Sequence, residues 1–545
     1  MEQLVLTAKQ LSVIKKSLID GISIASGARG GATYYHSKEE QDVAIKNAIS
    51  SLYSTSKELP LILANQNGVT GKFIQEAILN EFKNTANGGA CYIVNPIDWI
   101  DNGISDKALL GALYNLDKNL GISYVLRLFI LLRKNKINNE RARKIVLGYI
   151  LGNPNLEFYS VKYRKKIRNI LKHVYGEKKT SILLSIAEKY IRSGGVYSNE
   201  KEVKISNTFL KKYSPILNSE KLYKIFLFIF GKGDKSFYSK SEFPIISEFY
   251  VATQDITSVT KVPEEVLVGL VSNKKHPQYA GMWSTKLLRK STLALIRKNN
   301  EVTSVNQQVR QTKKNEKLGV VKEVNLEAAT DFMALYKTGY ENGFDAKLIN
   351  AIDKLAESNK ITGFAYNNIG IIVDRSNSMF GNKVESKNTP RAIADFTVKV
   401  LEKSSKTQVV VNTEGEATDI ATAFVSLLKN ESEQNKYDAI FIITDGYENQ
   451  YEGLAGEVIE TYINETQRSL PIFQISPIVG AEMNANVRPI ANTNVALLAV
   501  SNPASIATQM SAKMLEVDTK QWLLNQVKLI EANNVSRIRK NYVKA

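Results

Sequence analysis

Apolar residues recur at helical spacing through the first three hundred residues of the chain. Leu109, Leu110, Leu113 and Leu116 mark one face, and Ile167, Ile170, Leu171 and Val174 mark another, at steps of three and four that share one side of a helix. The pattern is mainly helical from about 36 to 300. Short breaks punctuate it: Asn-Pro-Asn at 153–155, Gly194-Gly195, Gly231-Lys-Gly233 and Lys274 to Gln278. Many helices with short connectors predict an α-solenoid or an irregular bundle, on helix density alone, because no clean sequence period is visible.

After about 360 the texture changes. Strand-like apolar runs stand at 368–373, 407–411, 439–443, 471–475 and 495–500. Helical stretches near 389–403, 418–429, 455–467 and 502–516 separate them. Strands alternating with helices predict a doubly wound, mostly parallel α/β sheet. In such a sheet sites form beyond the carboxyl ends of the strands. The chemistry is therefore to be sought just after Val373 and Ile443.

A chain of 545 residues is too long for one hydrophobic core, so two or three domains are expected. Charge divides it in the same place. Residues 361–545 hold 18 Lys and Arg against 20 Asp and Glu, leaving 54 against 34 before them, so the parts carry −2 and +20 of the net +18. Such asymmetry points the first part toward a polyanion, the plainer reading being a solvated lysine-rich surface. Cys91 is the sole cysteine, which excludes an intramolecular disulfide and a cysteine-rich zinc site and fits a reducing, cytoplasmic setting. No secretory signal is visible at the N-terminus. The most apolar runs, Tyr124 to Leu132 and Ile225 to Phe230, are far shorter than a membrane span, so a soluble protein with no membrane partner is expected.

At the two strand ends lie Asp374-Arg-Ser376-Asn-Ser378 and Thr444-Asp445-Gly446. A carboxylate leaving a strand, with hydroxyls two and four residues later, can turn three oxygens toward one point above the sheet. Thr418, in Gly-Glu-Ala-Thr-Asp, and Asp445 would complete a set of hard oxygen ligands suited to Mg²⁺ or another divalent cation. So few protein charges leave a coordination position open to water or a partner's carboxylate. Taken alone, the first motif also describes a helix N-cap. What favours a metal is that the motif, Thr418 and Asp445 follow successive strands of one domain.

Four stretches of the sequence resemble the Ro autoantigen family, RNA-binding proteins made of a TROVE module followed by a von Willebrand factor A domain. They are Ser26-Gly-Ala-Arg-Gly-Gly-Ala-Thr-Tyr-Tyr35, Tyr163-Arg-Lys-Lys-Ile-Arg168 with Ile182 to Arg192 after it, Trp283-Ser-Thr-Lys-Leu-Leu-Arg289 continuing to Lys298, and Leu335-Tyr-Lys-Thr-Gly339. They fall in family order over nearly the whole chain. The resemblance implies an all-α, HEAT-like helical-repeat ring at 1–360, a von Willebrand A-like α/β domain with a metal-ion-dependent adhesion site at 361–518, and a basic C-terminal helix or tail at 519–545. It also implies a function without catalysis: single-stranded 3′ ends of misfolded RNAs in the hole of the ring, and small structured Y-type RNAs on its outer surface. Tyr197-Ser198-Asn199 and Asn207 stand where many members have Trp-Ser-His and a second histidine.

The residues name the surface that would meet RNA. Between 161 and 179 eight Lys or Arg face Glu177 alone, and Lys162, Arg164, Lys165, Arg168 and Lys172 are the candidates there, with Tyr163 and Tyr175 available to stack on bases. Arg164, Arg168 and Lys172 are spaced by four and share a helical face. Lys189 with Arg192, and Lys286 with Arg289 and Lys290, form further clusters. His36, His173 and His276 are scattered singly and are read as surface or packing residues. No nucleophile and base pairing and no Gly-x-x-x-x-Gly-Lys phosphate loop is present. Two other classes stay open: a metal-dependent scaffold that recruits an acidic protein partner, and a nuclease or its subunit. The latter is disfavoured by the lack of a second carboxylate cluster in the basic half.

Overall fold

The computed structural model describes residues 7–27, 37–86, 104–272 and 326–530, with short interruptions of which 381–388, 447–452, 478–488 and 511–518 are the longest. The chain forms two compact units that are discontinuous in sequence. One draws its described residues from 1–81, 89–120 and 325–531, the other from 82–88 and 121–324. The expected boundary at 360 thus falls inside the first unit.

The second unit is helical throughout its described residues. Its central helix, Ser219–Phe230, is buried nearly all round, with Leu222, Tyr223 and Ile225 through Ile229 all inaccessible. Asn218 caps its start by accepting from the Lys221 amide, and Gly231 ends it in the left-handed region at φ 73°, which a side chain would strain. Helices Leu156–Lys162, Arg164–Tyr175 and Glu177–Arg192 pack against it. In Arg164–Tyr175 the buried residues are Ile167, Ile170, Leu171 and Val174, the face that the spacing predicts. The breaks at 153–155, 194–195 and 231–233 lie at helix ends, and the break at 274–278 lies outside the described residues.

The first unit holds a five-stranded parallel sheet: β1 (Asn368–Val373), β2 (Thr407–Asn412), β3 (Ala439–Ile443), β4 (Ile472–Pro477) and β5 (Val495–Val500), in the order β2-β1-β3-β4-β5. β1 and β3 are buried along their whole length, which is why they read as unbroken apolar runs rather than alternating ones. β2, at the edge, is partly exposed. Helices Thr389–Ser404, Ile420–Leu428 and Leu454–Thr466 connect the strands. Phe424 and Leu427 pack on Ile372, Ile440 and Ile442. The approach is close: a Cβ at Gly370 would stand 2.6 Å from Leu427 Cδ2, so a larger residue there would force the Leu427 side chain to move. The strand order reverses between β1 and β3, and in open α/β sheets the crevice for a ligand opens at the carboxyl ends on either side of that switch.

Segments far apart in sequence complete this unit. Helix Ala8–Gly27 packs on β5. The Gln66 amide donates to Gln526 Oε1 at 2.6 Å, across 460 positions. Trp522, Leu523 and Ile530 are buried, so 519–530 is a packed part of the unit rather than a solvated tail. Helix Ile104–Leu120 buries Leu109, Leu113 and Leu116 but leaves Leu110 half-buried.

Candidate functional site

The backbone of the loop after β1 is set by its neighbours. The Asp374 amide donates to the Ile443 carbonyl at 2.9 Å, continuing the pairing of β1 with β3, and the Thr413 amide donates to Val373 O at 3.0 Å, continuing that with β2. Asp374 is 1 % exposed. Its Oδ1 accepts from the Ser376 amide at 2.8 Å and its Oδ2 from the Thr444 hydroxyl at 2.7 Å. Ser376 Oγ and Ser378 Oγ lie 3.0 Å apart. Ser376, Thr418 and Thr444 are fully buried, and Asp445 is half-buried two residues beyond β3. Thr418 precedes helix Ile420–Leu428, in the connection from β2. All five expected ligands therefore lie beyond the carboxyl ends of parallel strands.

Two features of this set fit a cation. Asp374 makes no ion pair with any described residue, and among them its carboxylate is held by two neutral donors, an arrangement that a cation would stabilise. The Thr418 hydroxyl is buried without a hydrogen-bond partner. A hydroxyl oxygen in that state costs stability until a ligand such as a metal ion or a water takes it up. Hard oxygens from hydroxyls and two carboxylates suit Mg²⁺. Thr444, given no role from sequence, holds Asp374. The signal was its place beside Asp445 at a strand end.

The basic residues of the second unit divide into two groups. Arg164 Nε donates to Phe228 O at 2.8 Å and its guanidinium lies 4.2 Å over the Phe228 ring. Arg168 Nε donates to Ile229 O at 2.8 Å. Both cations thus satisfy the last carbonyls of helix Ser219–Phe230 and complement its dipole. Burial lowers the Arg164 pKa from its ordinary value. Lys162 pairs with Glu265 at 3.2 Å, Lys189 with Glu202 at 3.2 Å and Arg192 with Glu188 at 3.0 Å. Lys165 and Lys172, seven residues apart on one helix, are exposed and make no ion pair with any described residue. The expected face of Arg164, Arg168 and Lys172 is therefore divided between helix capping and solvent. Tyr175 donates its hydroxyl to the Phe209 carbonyl and is tied into the packing, and Asn199 caps helix Glu200–Phe209 by accepting from the Glu202 amide. His173 lies 2.8 Å from the Ile137 carbonyl, as a packing residue does. Lys286, Arg289 and Lys290 lie outside the described residues, as do the first and third stretches of the resemblance.

The chain thus has a helical basic unit and a parallel α/β domain with hydroxyl and carboxylate oxygens gathered beyond its strand ends. No family model matches the chain, and no curated protein matches it. Among solved structures, that of the Deinococcus radiodurans RO (RSR) protein is similar over 94 % of this chain and 94 % of that one, at 11 % identity and a TM-score of 0.36. At that score the likeness carries no weight for fold, site or function. Among the described residues no helix is long and apolar enough to cross a membrane.

Proposed function

We propose that this is a non-catalytic, cytoplasmic RNA-binding protein of the Ro type, whose basic helices hold RNA and whose α/β domain binds Mg²⁺. The observation that carries the RNA reading is the charge: +20 over residues 1–360 against −2 after them, with Lys165 and Lys172 left exposed and unpaired on one helix. A phosphate chain running along that helix would neutralise both lysines and release counter-ions. The four sequence stretches that resemble the Ro family add the finer reading. On it, a helical ring takes single-stranded 3′ ends of misfolded or small non-coding RNAs, and Y-like RNAs lie on the outer surface.

Asp374, Ser376, Ser378, Thr418 and Asp445 would hold the cation. When bound it supplies positive charge to a buried carboxylate and an exchangeable position. That position supports a second reading, a scaffold that recruits a protein partner through an acidic side chain.

Purification of the full chain at low and high salt separates the two. An RNA binder leaves cells carrying nucleic acid that high salt strips, and sequencing RNA crosslinked to it names the ligand. Protein free of nucleic acid at low salt would leave the scaffold reading.

A further inference from the structure

Arg375 stands between two of the cation-site residues, Asp374 and Ser376, and its side chain is held aside. Its amide donates to Thr413 Oγ1 at 2.9 Å and its Nε to Asn412 Oδ1 at 2.9 Å, both at the end of β2. The guanidinium Nη1 bonds Asp395, on helix Thr389–Ser404. The second Asp395 oxygen accepts from the Tyr340 hydroxyl, on helix Phe332–Asn342. Arg391 lies 4.7 Å over the Tyr340 ring, with its Nε 3.9 Å from Asp395. Burial, and then the Asp395 carboxylate, push the Tyr340 phenol pKa up, so it stays a donor.

We propose that Asp395 is a positioning residue for the cation site: it sequesters the Arg375 guanidinium, which would otherwise be free to turn toward the buried Asp374 carboxylate and compete with the metal. The proposal rests on the metal reading above. Arg375 is the next residue after the carboxylate proposed to hold the metal, and it carries the charge that would neutralise that carboxylate. Asp374 makes no ion pair with a described residue, so it would accept that cation once released. Asn412 and Asp395 together hold the guanidinium fork on the β2 side, and Tyr340 fixes the carboxylate that does the holding. The stretch Leu335-Tyr-Lys-Thr-Gly339 runs directly into Tyr340, which ties the helix before the α/β domain to the state of the cation loop.

The test is Mg²⁺ titration calorimetry on the full-length wild type, Asp395→Asn, Arg375→Gln and the double variant, each also melted without Mg²⁺. Asp395→Asn should bind Mg²⁺ at least tenfold more weakly. Arg375→Gln should bind at least as tightly as wild type. The double variant should return to within threefold of wild type, since nothing is left to compete. A residue that merely supports the fold through this ion pair would weaken binding in Arg375→Gln as well, since either loss breaks the same contact, whereas competition requires Arg375→Gln to bind at least as tightly as wild type. Wild-type affinity in Asp395→Asn, or a double variant as weak as Asp395→Asn, overturns the proposal and leaves the metal site standing. If Asp395→Asn does not fold, weaker binding by Arg375→Gln overturns the proposal, and equal or tighter binding upholds it. If the wild type takes up no Mg²⁺, the metal reading falls and the proposal with it.

Discussion

The Thr444 hydroxyl donates to Asp374 Oδ2 at 2.7 Å, joining the ends of β3 and β1 across 70 positions of sequence. That bond aims a fully buried carboxylate and fills one of its lone pairs, while no described cation neutralises it.

Asp374→Asn keeps the shape of the side chain and removes its charge. The variant should lose Mg²⁺ binding and, without metal, melt no lower than wild type, because an uncompensated buried charge has gone. Adding Mg²⁺ at a hundred times the dissociation constant should stabilise wild type by about 2.7 kcal/mol and leave the variant unmoved. Calorimetry and thermal melts with and without Mg²⁺ read both, and equal Mg²⁺ affinity in the two proteins would refute the assignment.

Thr418→Val should separate binding from stability in opposite directions. The hydroxyl is buried and unpartnered without metal, so replacing it with a methyl should cost nothing or gain about 1 kcal/mol. Mg²⁺ affinity should nevertheless fall at least tenfold. Loss of stability without loss of affinity would show that Thr418 is a packing residue.

Arg164→Met and Arg168→Met should each destabilise the helical unit by about 1.5–3 kcal/mol, the range for a hydrogen bond from a charged donor. They remove the arginine donors from the Phe228 and Ile229 carbonyls, of which Phe228 O keeps the Gly231 amide at 3.0 Å. Urea unfolding followed by circular dichroism measures this. A change below about 0.5 kcal/mol, the size of an ordinary surface substitution, would return these arginines to the pool of cations free to meet RNA.

Lys165→Gln with Lys172→Gln should do the reverse. Stability should hold within about 0.5 kcal/mol, since both side chains are exposed and unpaired. The slope of log affinity against log salt for a single-stranded RNA should flatten by roughly 1.4, at about 0.7 for each phosphate no longer neutralised. An RNA with a free 3′ tail should weaken more than a blunt hairpin if a ring encloses these lysines, and the two should weaken equally if they lie outside it.

RNA affinity at fixed salt should survive chelation, because Lys165 and Lys172 belong to one compact unit and the cation site to the other. A fall of more than tenfold on adding a chelator would mean that the metal touches RNA or couples the two units.

The strands of the α/β domain were legible in the sequence almost to the residue. Asn368–Val373 and Ala439–Ile443 stand where apolar runs predict them, because a parallel strand covered on both faces has no polar positions to blur its ends, and Val495–Val500 stands where its run predicts although Leu497 is exposed. That Asp374, Ser376, Ser378, Thr418 and Asp445 stand after strand ends was legible too, because the runs that mark the strands also mark where they stop. Sequence order alone could not say what Arg164 and Arg168 do. Their spacing with Lys172 describes a cationic helix face, but whether a cation on such a face meets solvent or a neighbouring helix end depends on what packs there, and Phe228 and Ile229 lie more than 60 positions away. The same holds for Asp395, 20 positions from the arginine it binds, and for Gln66 and Gln526, which join early and late segments of the first unit. Local pattern determines which elements form, because it depends on neighbours along the chain. Which charges are used inside the protein and which remain for a partner is decided only when distant elements meet.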